Sequence, residues 1–202
     1  MPSPDPDASA QGRAVDPADP PASMGARAGR PAAAGGTRAR SRTRLATLMY
    51  STALVVVAFD RATKFLAEHH LAGHPRTLIP GVLQLQYTTN PGGAFGLFGG
   101  ATWLFLTATI AVSAVILFAS FNLPNRTLAV ALGLVFGGAI GNLTDRVING
   151  SGLSGRVVDF LAFAGSRDAR PVWPVFNLAD SAIVIGACLI VLASLRRSVA
   201  HR

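Results

Sequence analysis

The chain has 202 residues, of which 50% are hydrophobic and only 14% are charged, and its formal net charge is +8 at pH 7. This composition is too apolar for an ordinary soluble domain of this size, and it favours the bilayer as the solvent for most of the chain. Many of the basic residues are arginines in the two terminal tails. The positive charge is therefore interpreted as a signal of membrane topology, and no nucleic-acid partner is expected.

The N-terminal tail, residues 1–40, is rich in Pro, Ala, Gly, Asp and Arg and has almost no large apolar side chains. A segment of this kind cannot offset its ordering entropy by burial, so we expect it to be disordered. Its arginines come last, next to the first apolar segment, where attraction to anionic lipid explains them. The arginines and the apolar run that follows resemble a secretory signal peptide, but no small-residue cleavage site follows and the helix continues, so we reject that interpretation.

Four segments are apolar over about 20 residues, which is the length of a membrane-spanning helix. They cover residues 45–66, 101–121, 127–148 and 175–195. Arginines lie before the first span, between the second and third, and after the fourth, so we expect both termini in the cytoplasm. The predicted membrane domain is 41–197, followed by a short cytoplasmic tail at 198–202.

Asp60 and Lys64 lie four residues apart near the end of the first span, on one helical face, so they can pair with each other. Three histidines follow within ten residues, at His69, His70 and His74. Because no second His or Cys group lies at ligand spacing, we interpret them as interfacial side chains and expect neither a metal nor a cofactor.

The loop between the first two spans predicts a small β structure at residues 77–98. Leu83, Leu85 and Tyr87 alternate with polar residues, a period of two that indicates a short strand, and the sequence NPGG at 90–93 indicates a turn. The alternative is a simple connector, although a loop of roughly 30 residues is longer than two antiparallel helices need. We therefore predict a hairpin or small sheet on the outer face of the membrane.

The third span becomes polar towards its end. Glycines recur there at close spacing, at Gly133, Gly137, Gly138 and Gly141, and they allow neighbouring helices to approach closely. Asn142, Asp145 and Arg146 follow at the predicted outer end. Because cations lie close in sequence, we interpret Asp145 as part of a structural network with Arg146 or Arg156.

Asp159 and Asp180 each lie where an apolar segment meets a polar loop. Asp159 lies within VVDFLAF, where desolvation raises the pKa of a carboxyl unless a cation is close. Asp180 follows Asn177 by three residues, which is also the spacing of a helix capping box, so a structural and a functional interpretation both remain open. The predicted topology places Asp159 and Asp180 on one side of the bilayer, where each can be the partner of the other.

Two adjacent carboxyl groups do not both ionise readily, so one keeps its proton while the other remains a base. Peptide hydrolysis without a metal requires this pair: one carboxylate activates water, and one carboxylic acid polarises the carbonyl. A small proton-coupled transporter is the alternative, although it predicts charge near the midplane and paired broken helices. A non-enzymatic scaffold held together by the glycine face would leave the long outer loops without a purpose.

Five motifs occur in order: DRATK at 60–64, NPGGAFG at 90–96, GGAIGNLTDR at 137–146, VVDF at 157–160 and FNLAD at 176–180. Together they resemble the lipoprotein signal peptidases (signal peptidase II), which are bacterial membrane aspartic peptidases, over about residues 45–195. The resemblance implies an all-α integral membrane protein with four transmembrane helices and a small extracytoplasmic β-hairpin or sheet that forms a cradle between helices 1 and 2. It also implies a monomer in the bacterial cell membrane, with its active site near the outer leaflet.

The resemblance implies that Asp159 and Asp180 are the catalytic pair. It implies a set of residues that line or support the site, to which Asp145 is added here: Asp60, Lys64, Asn90, Gly141, Asn142, Asp145, Arg146 and Asn177. The implied reaction removes the signal peptide of a prolipoprotein just before a cysteine that carries a diacylglyceryl group. Cyclic peptide antibiotics of the globomycin type are the implied inhibitors.

Overall fold

The computed structural model describes residues 32–91, 102–150, 153, 155–163 and 171–200. Within them, four helices form: α1 (Ala32–Leu71), α2 (Thr102–Ser120), α3 (Arg126–Ile148) and α4 (Leu178–Ala200). Three strands, β1 (Arg76–Ile79), β2 (Leu83–Asn90) and β3 (Val157–Phe163), form one antiparallel sheet in the order β1-β2-β3. The sheet lies at the end of the helices where α1 and α3 finish and α4 begins.

Three helical segments are long and apolar enough to cross a membrane, namely Ala39–Leu71, Arg126–Ile148 and Leu178–Arg196. They coincide with three of the four predicted spans. The remaining predicted span, 101–121, falls on α2, where the apolar stretch Leu106–Ser120 is shorter. The helical bundle with segments long and apolar enough to cross a membrane, and the small sheet, are therefore confirmed, whereas the number of crossings remains a prediction.

The first helix begins earlier than the sequence pattern indicated. It starts at Ala32, inside the segment 1–40 that we expected to be disordered, and residues 1–31 lie outside the described residues. Alanine and arginine are among the strongest helix formers, and they outnumber Gly35 and Gly36 in residues 32–40, so the helix extends from the apolar span into the tail. Helix boundaries read from apolar content alone miss such an extension.

Helix α3 packs tightly against both α1 and α4 through its glycines. A Cβ atom on Gly137 would lie 2.7 Å from the carbonyl oxygen of Ala53 on α1, and one on Gly138 would lie 2.7 Å from Cγ1 of Ile183 on α4. Both distances are too short for a real contact, so glycine is required at these positions for the backbones to approach. The predicted role of this glycine face is thus visible in the packing.

The predicted hairpin is present, but its turn is made by Pro80 and Gly81. The amide of Val82 donates to the carbonyl of Ile79 at 3.0 Å, and Gly81 has φ of 73°. Proline followed by a glycine with positive φ is the pattern of a type II turn. Asn90, where the sequence indicated a turn, ends β2, and residues 92–98 of the predicted cradle lie outside the described residues.

Strand β3 was not predicted. Its sequence VVDFLAF has no alternation of apolar and polar residues because Val157, Val158, Asp159 and Phe160 are all buried, on both faces of the strand. A strand that is buried on both faces has a continuous apolar sequence. The periodicity of such a sequence does not distinguish the strand from a buried helix. One face packs on α1, where Phe160 joins Ala67 and Leu71 in a hydrophobic cluster.

Candidate active site

The two aspartates that the sequence singled out line the same cavity, which has a volume of about 370 Å³. Asp159 comes from the middle of β3, and Asp180 comes from the first turn of α4. The backbone of Phe176 pairs with that of Leu161, through hydrogen bonds of 2.8 and 2.9 Å. This pairing places the start of α4 beside β3, so carboxyl groups 21 residues apart in sequence share one site.

Two asparagine side chains hold the aspartates in place. Asn177 Nδ2 lies 2.7 Å from Asp159 Oδ1, and Asn142 Nδ2 donates to Asp180 Oδ1 at 2.8 Å. The asparagines are themselves joined, because Asn177 Nδ2 lies 3.1 Å from Asn142 Oδ1. One polar chain therefore connects both carboxyl groups and limits how far each can turn.

Asp180 also forms a capping box with Asn177. The amide of Asp180 donates to Asn177 Oδ1 at 2.9 Å, and the amide of Asn177 donates to Asp180 Oδ2 at 3.1 Å. These reciprocal bonds satisfy backbone donors at the start of α4. The structural and functional interpretations of Asp180 are therefore compatible, since capping uses one oxygen and leaves the other directed to Asn142.

The surroundings of Asp159 raise the pKa of its carboxyl to about 7. Burial is the main cause, because it penalises the charged form, and the nearby charge of Asp180 acts in the same direction. Hydrogen bonds from Asn177 and Asn90 and the charge of Lys64 oppose these effects. Asp159 can therefore hold a proton near neutral pH, as an acid in an aspartate pair must.

Lys64 lies at the centre of a buried polar cluster behind the aspartates. Its ammonium is 2.7 Å from Asp60 Oδ2, 2.9 Å from Asp145 Oδ2 and 2.9 Å from Asn142 Oδ1. The ammonium donates a hydrogen bond to Asn142 and forms ion pairs with both carboxylates, an arrangement that suits a compact cation better than the planar fork of an arginine. The predicted Asp60–Lys64 pair is present, and it lies inside the protein.

The two carboxylates beside Lys64 each bind the backbone just before one of the cavity aspartates. Asp60 Oδ1 accepts from the amide of Ala179, and Asp145 Oδ2 accepts from the amide of Val158, both at 3.0 Å. Because one ammonium joins both carboxylates, it ties β3 to α4 at the residues that precede Asp159 and Asp180. Lys64 thereby helps to fix the separation of the two carboxyl groups.

The ion-pair partners of Asp145 are not the ones expected from the sequence, although its charge also acts on Arg146. Its ion pairs are with Lys64 and Arg61 of α1, and Arg61 Nη1 lies 2.5 Å from Asp145 Oδ1. Neighbouring positions on a helix face different directions, so Arg146 turns away and donates to the carbonyl of Gly155 at 3.2 Å. Closeness in sequence did not predict the ion-pair partners of Asp145, because adjacent residues of a helix point to different sides of it.

Residues 52–196 match the family model described as Signal peptidase (SPase) II. The chain belongs to the signal peptidase II family. The family comprises aspartic peptidases of family A8, so the chain is identified as a membrane peptidase, and the transporter alternative has no support.

Individual relatives in the signal peptidase II family agree over most of their length. The lipoprotein signal peptidase of Desulfitobacterium hafniense (strain DSM 10664 / DCB-2) is 41% identical over 152 residues, covering 73% of this chain and 93% of that protein. That of Rhodococcus jostii (strain RHA1) is 40% identical over 150 residues, covering 73% of this chain and 72% of that protein. A bacterial membrane enzyme solved at 2.3 Å resolution superposes with a TM-score of 0.64 and 31% identity, covering 76% of this chain and 91% of that one.

The site residues predicted for a signal peptidase II fall into two layers. Those that line the cavity are Asn90, Asn142, Arg146, Asp159 and Asp180. Those behind it are Asp60, Lys64, Gly141, Asp145 and Asn177, of which Asp60, Lys64, Asp145 and Asn177 are almost fully buried. A Cβ on Gly141 would lie 2.7 Å from Asp60 Oδ2, which explains why glycine occupies this position. Within the part of the chain that the structure describes, no cluster of three or more His, Cys, Asp or Glu side chains could hold a metal.

The sequence interpretation missed two features of the candidate site. Arg61 was not considered, although it pairs with Asp145. The second feature is that Lys64 is the only lysine in the chain. The other 17 of the 18 Lys and Arg residues are arginines. A single lysine in an arginine-rich chain indicates that the compact ammonium itself is required, so this signal was available without a structure.

Proposed function

We propose that this chain removes signal peptides from diacylglyceryl-modified prolipoproteins, cutting before the lipidated cysteine, with Asp159 and Asp180 as its catalytic pair. The observation that carries the proposal is the shared cavity of two carboxyl groups, one of which has a pKa near 7. Relatives named lipoprotein signal peptidase support the substrate class. We propose that the protein acts as a monomer and needs no cofactor.

In the proposed mechanism, ionised Asp180 takes a proton from a water molecule while the water oxygen bonds to the scissile carbonyl carbon. Protonated Asp159 gives its proton to the carbonyl oxygen, which forms a neutral tetrahedral intermediate. The C–N bond then breaks as Asp180 passes its proton to the leaving amine of the lipidated cysteine. A hydroxyl proton of the intermediate returns to Asp159, so the products are a carboxylic acid and an amine, and both aspartates recover their starting states.

The proposed topology has four crossings, with α2 and the residues before it as the second. Both termini then lie in the cytoplasm, and the sheet and the aspartates lie at the outer face. Arg40, Arg42 and Arg44 on α1, Arg126 at the start of α3 and Arg196 on α4 support this orientation, because all lie at the helix ends away from the sheet. A diacylated substrate that stays in the outer leaflet would then present its scissile bond at the depth of the cavity.

The test of this function uses the purified protein in detergent or lipid nanodiscs, with a chelator present. We expect it to cleave a diacylglyceryl-modified prolipoprotein, and mass spectrometry should show a product that begins at the lipidated cysteine. The matched control is the same precursor without the lipid, which we expect to remain intact. Absence of cleavage by folded protein, or equal cleavage of both precursors, would contradict the proposed substrate.

The pH profile tests the proton on Asp159. Its carboxyl has a raised pKa of about 7, so the protonated form that the mechanism needs is lost as pH rises through 7. We expect the rate at low substrate to fall about tenfold per pH unit above that value. Because the Asn90 hydrogen bond lowers this pKa, Asn90→Ala should move the alkaline limb to higher pH, in addition to any loss of rate. A limb that stays in place in the variant, or a flat profile between pH 6 and 9, would argue against this assignment of the proton.

The same raised pKa predicts a change in stability. A carboxyl whose pKa is higher in the folded state than its ordinary value of 3.8 contributes stability that is complete below about pH 4 and is lost as pH rises through 7. We therefore expect the melting temperature of the wild type to fall between pH 5 and 8. This fall should be smaller in Asp159→Asn. This measurement needs no substrate, so it checks the pKa independently of the rate.

A further inference from the structure

A second cavity, of about 510 Å³, lies at the end of α1 that carries the sheet. Its helical wall includes Leu66, Ala67 and His70, at the three- and four-residue spacing of one helix face. Ala67 is buried at the base of the cavity, whereas Leu66 is 52% exposed at its edge. The cavity is therefore open towards the surface that α1 presents to the bilayer.

The other wall of this cavity is the sheet. Arg76 of β1 and Leu85 of β2 are cross-strand partners, and both line the cavity together with Phe160 of β3. Successive residues of a strand point to opposite faces, so Phe160 faces this cavity while Asp159 faces the candidate active site. The two cavities thus lie on opposite sides of β3.

The polar side chains that line this cavity are Thr63, His70 and Arg76, and Arg76 is the one with a permanent positive charge. Arg76 and His70 are both exposed, and none of the described residues that line the cavity is acidic. Within the described part of the chain, Arg76 takes part in no ion pair. An apolar groove with an unpaired guanidinium at its edge complements a molecule that has an apolar chain and an anionic head.

We propose that this cavity binds one anionic phospholipid of the surrounding leaflet. Its acyl chain lies along Leu66, Leu71 and Phe160, and its phosphate is bound by Arg76, with His70 beside it. A guanidinium suits a phosphate because its planar fork can donate two parallel hydrogen bonds. The volume is within the range of about 300–1,000 Å³ that small-molecule sites occupy.

A lipid is favoured over a peptide or a second copy of the chain because of where the cavity lies. It is on a membrane-crossing helix, at the level where that helix meets the sheet, and its open edge is formed by an exposed leucine. A phospholipid supplies the acyl chain and the phosphate at this boundary without any further partner. Because Phe160 adjoins Asp159 in sequence, a bound lipid would also restrict the strand that carries the candidate catalytic acid.

Native mass spectrometry of the full chain in detergent tests this site, with phosphatidylglycerol and phosphatidylcholine of identical acyl chains as probes. We expect one phosphatidylglycerol to be retained at about tenfold lower lipid concentration than phosphatidylcholine, as expected for one charge-assisted contact. Arg76→Gln should abolish this preference, and Leu66→Trp should weaken retention of both lipids by filling the groove. The matched controls are Arg156→Gln, an exposed arginine that does not line the cavity, and Leu54→Trp, at a position on α1 that is 70% exposed and lies away from it.

Equal retention of the two lipids by the wild type, or wild-type behaviour of both Arg76→Gln and Leu66→Trp, would overturn the proposal. Displacement of the lipid by inorganic phosphate at millimolar concentration would show an anion site without an acyl groove, and dimers in place of lipid adducts would assign the groove to a second copy. Both outcomes would also overturn it. Lipid retention is measured without turnover, so the result does not depend on the proposed peptidase activity.

Discussion

Asp159→Asn and Asp180→Asn should each reduce cleavage of a lipidated prolipoprotein by roughly 10³-fold or more, because each removes a carboxyl group that transfers a proton in the proposed mechanism. Asparagine keeps the size of the side chain but can neither take up nor release the proton. In Asp159→Asn, the amide oxygen can still accept from Asn177, so the fold should survive. The measurement is the single-turnover rate on purified protein, followed by a gel shift of the product.

Asp180→Asn has a structural cost that must be separated from its effect on rate. Asp180 accepts from Asn142 with one oxygen and from the amide of Asn177 with the other, so asparagine can satisfy only one of these donors. We expect a lower melting temperature for Asp180→Asn than for Asp159→Asn. Glu68→Gln, at an exposed carboxyl on the sheet end of α1, is the matched control and should keep the wild-type rate. Full activity in either aspartate variant would remove that residue from the catalytic pair.

Lys64→Met should lower the free energy of unfolding by about 3–5 kcal/mol, which is the usual cost of removing one partner from a buried ion pair. Lys64 is only 1% exposed and neutralises two carboxylates that are themselves completely buried. For a chain of this size the loss corresponds to a fall in melting temperature of roughly 10 °C. Activity should fall as well, because the carboxylates beside Lys64 bind the amides that precede Asp159 and Asp180.

A second substitution shows whether the loss comes from an uncompensated charge. Arg61 still pairs with Asp145 when Lys64 is absent, so Asp60 is the carboxylate left without a cation. We expect Asp60→Asn, added to Lys64→Met, to recover roughly half of the lost stability, because the asparagine oxygen can still accept from Ala179. Lys64→Arg should not substitute for lysine, since a larger planar guanidinium cannot take the place of a compact ammonium that lies within 3 Å of all three oxygens. A stable, active Lys64→Arg variant would contradict the role given to the ammonium.

The sequence pointed to most residues of the candidate site but not to the contacts among them. Asp159 and Asp180 were recognisable because carboxyl groups are costly beside apolar segments, and the Asn177 capping signal was visible from spacing alone. The partners of Asp145 were not recognisable. Their choice depends on which side of α3 faces α1, and that is a property of helix packing.

Local sequence is enough to predict the membrane-length helices and the family of this protein. Apolar length specifies membrane helices, glycine spacing specifies close packing, and five motifs in order specify the chemistry. Three features became visible in the folded structure instead: VVDFLAF is a strand, Lys64 joins Asp60 and Asp145, and Phe160 faces a second cavity. These features depend on contacts between segments far apart in the chain, such as Lys64 with Asn142 and Leu161 with Phe176. Local periodicity carries no information about such contacts, because it records which face of a segment is apolar but not what that face meets.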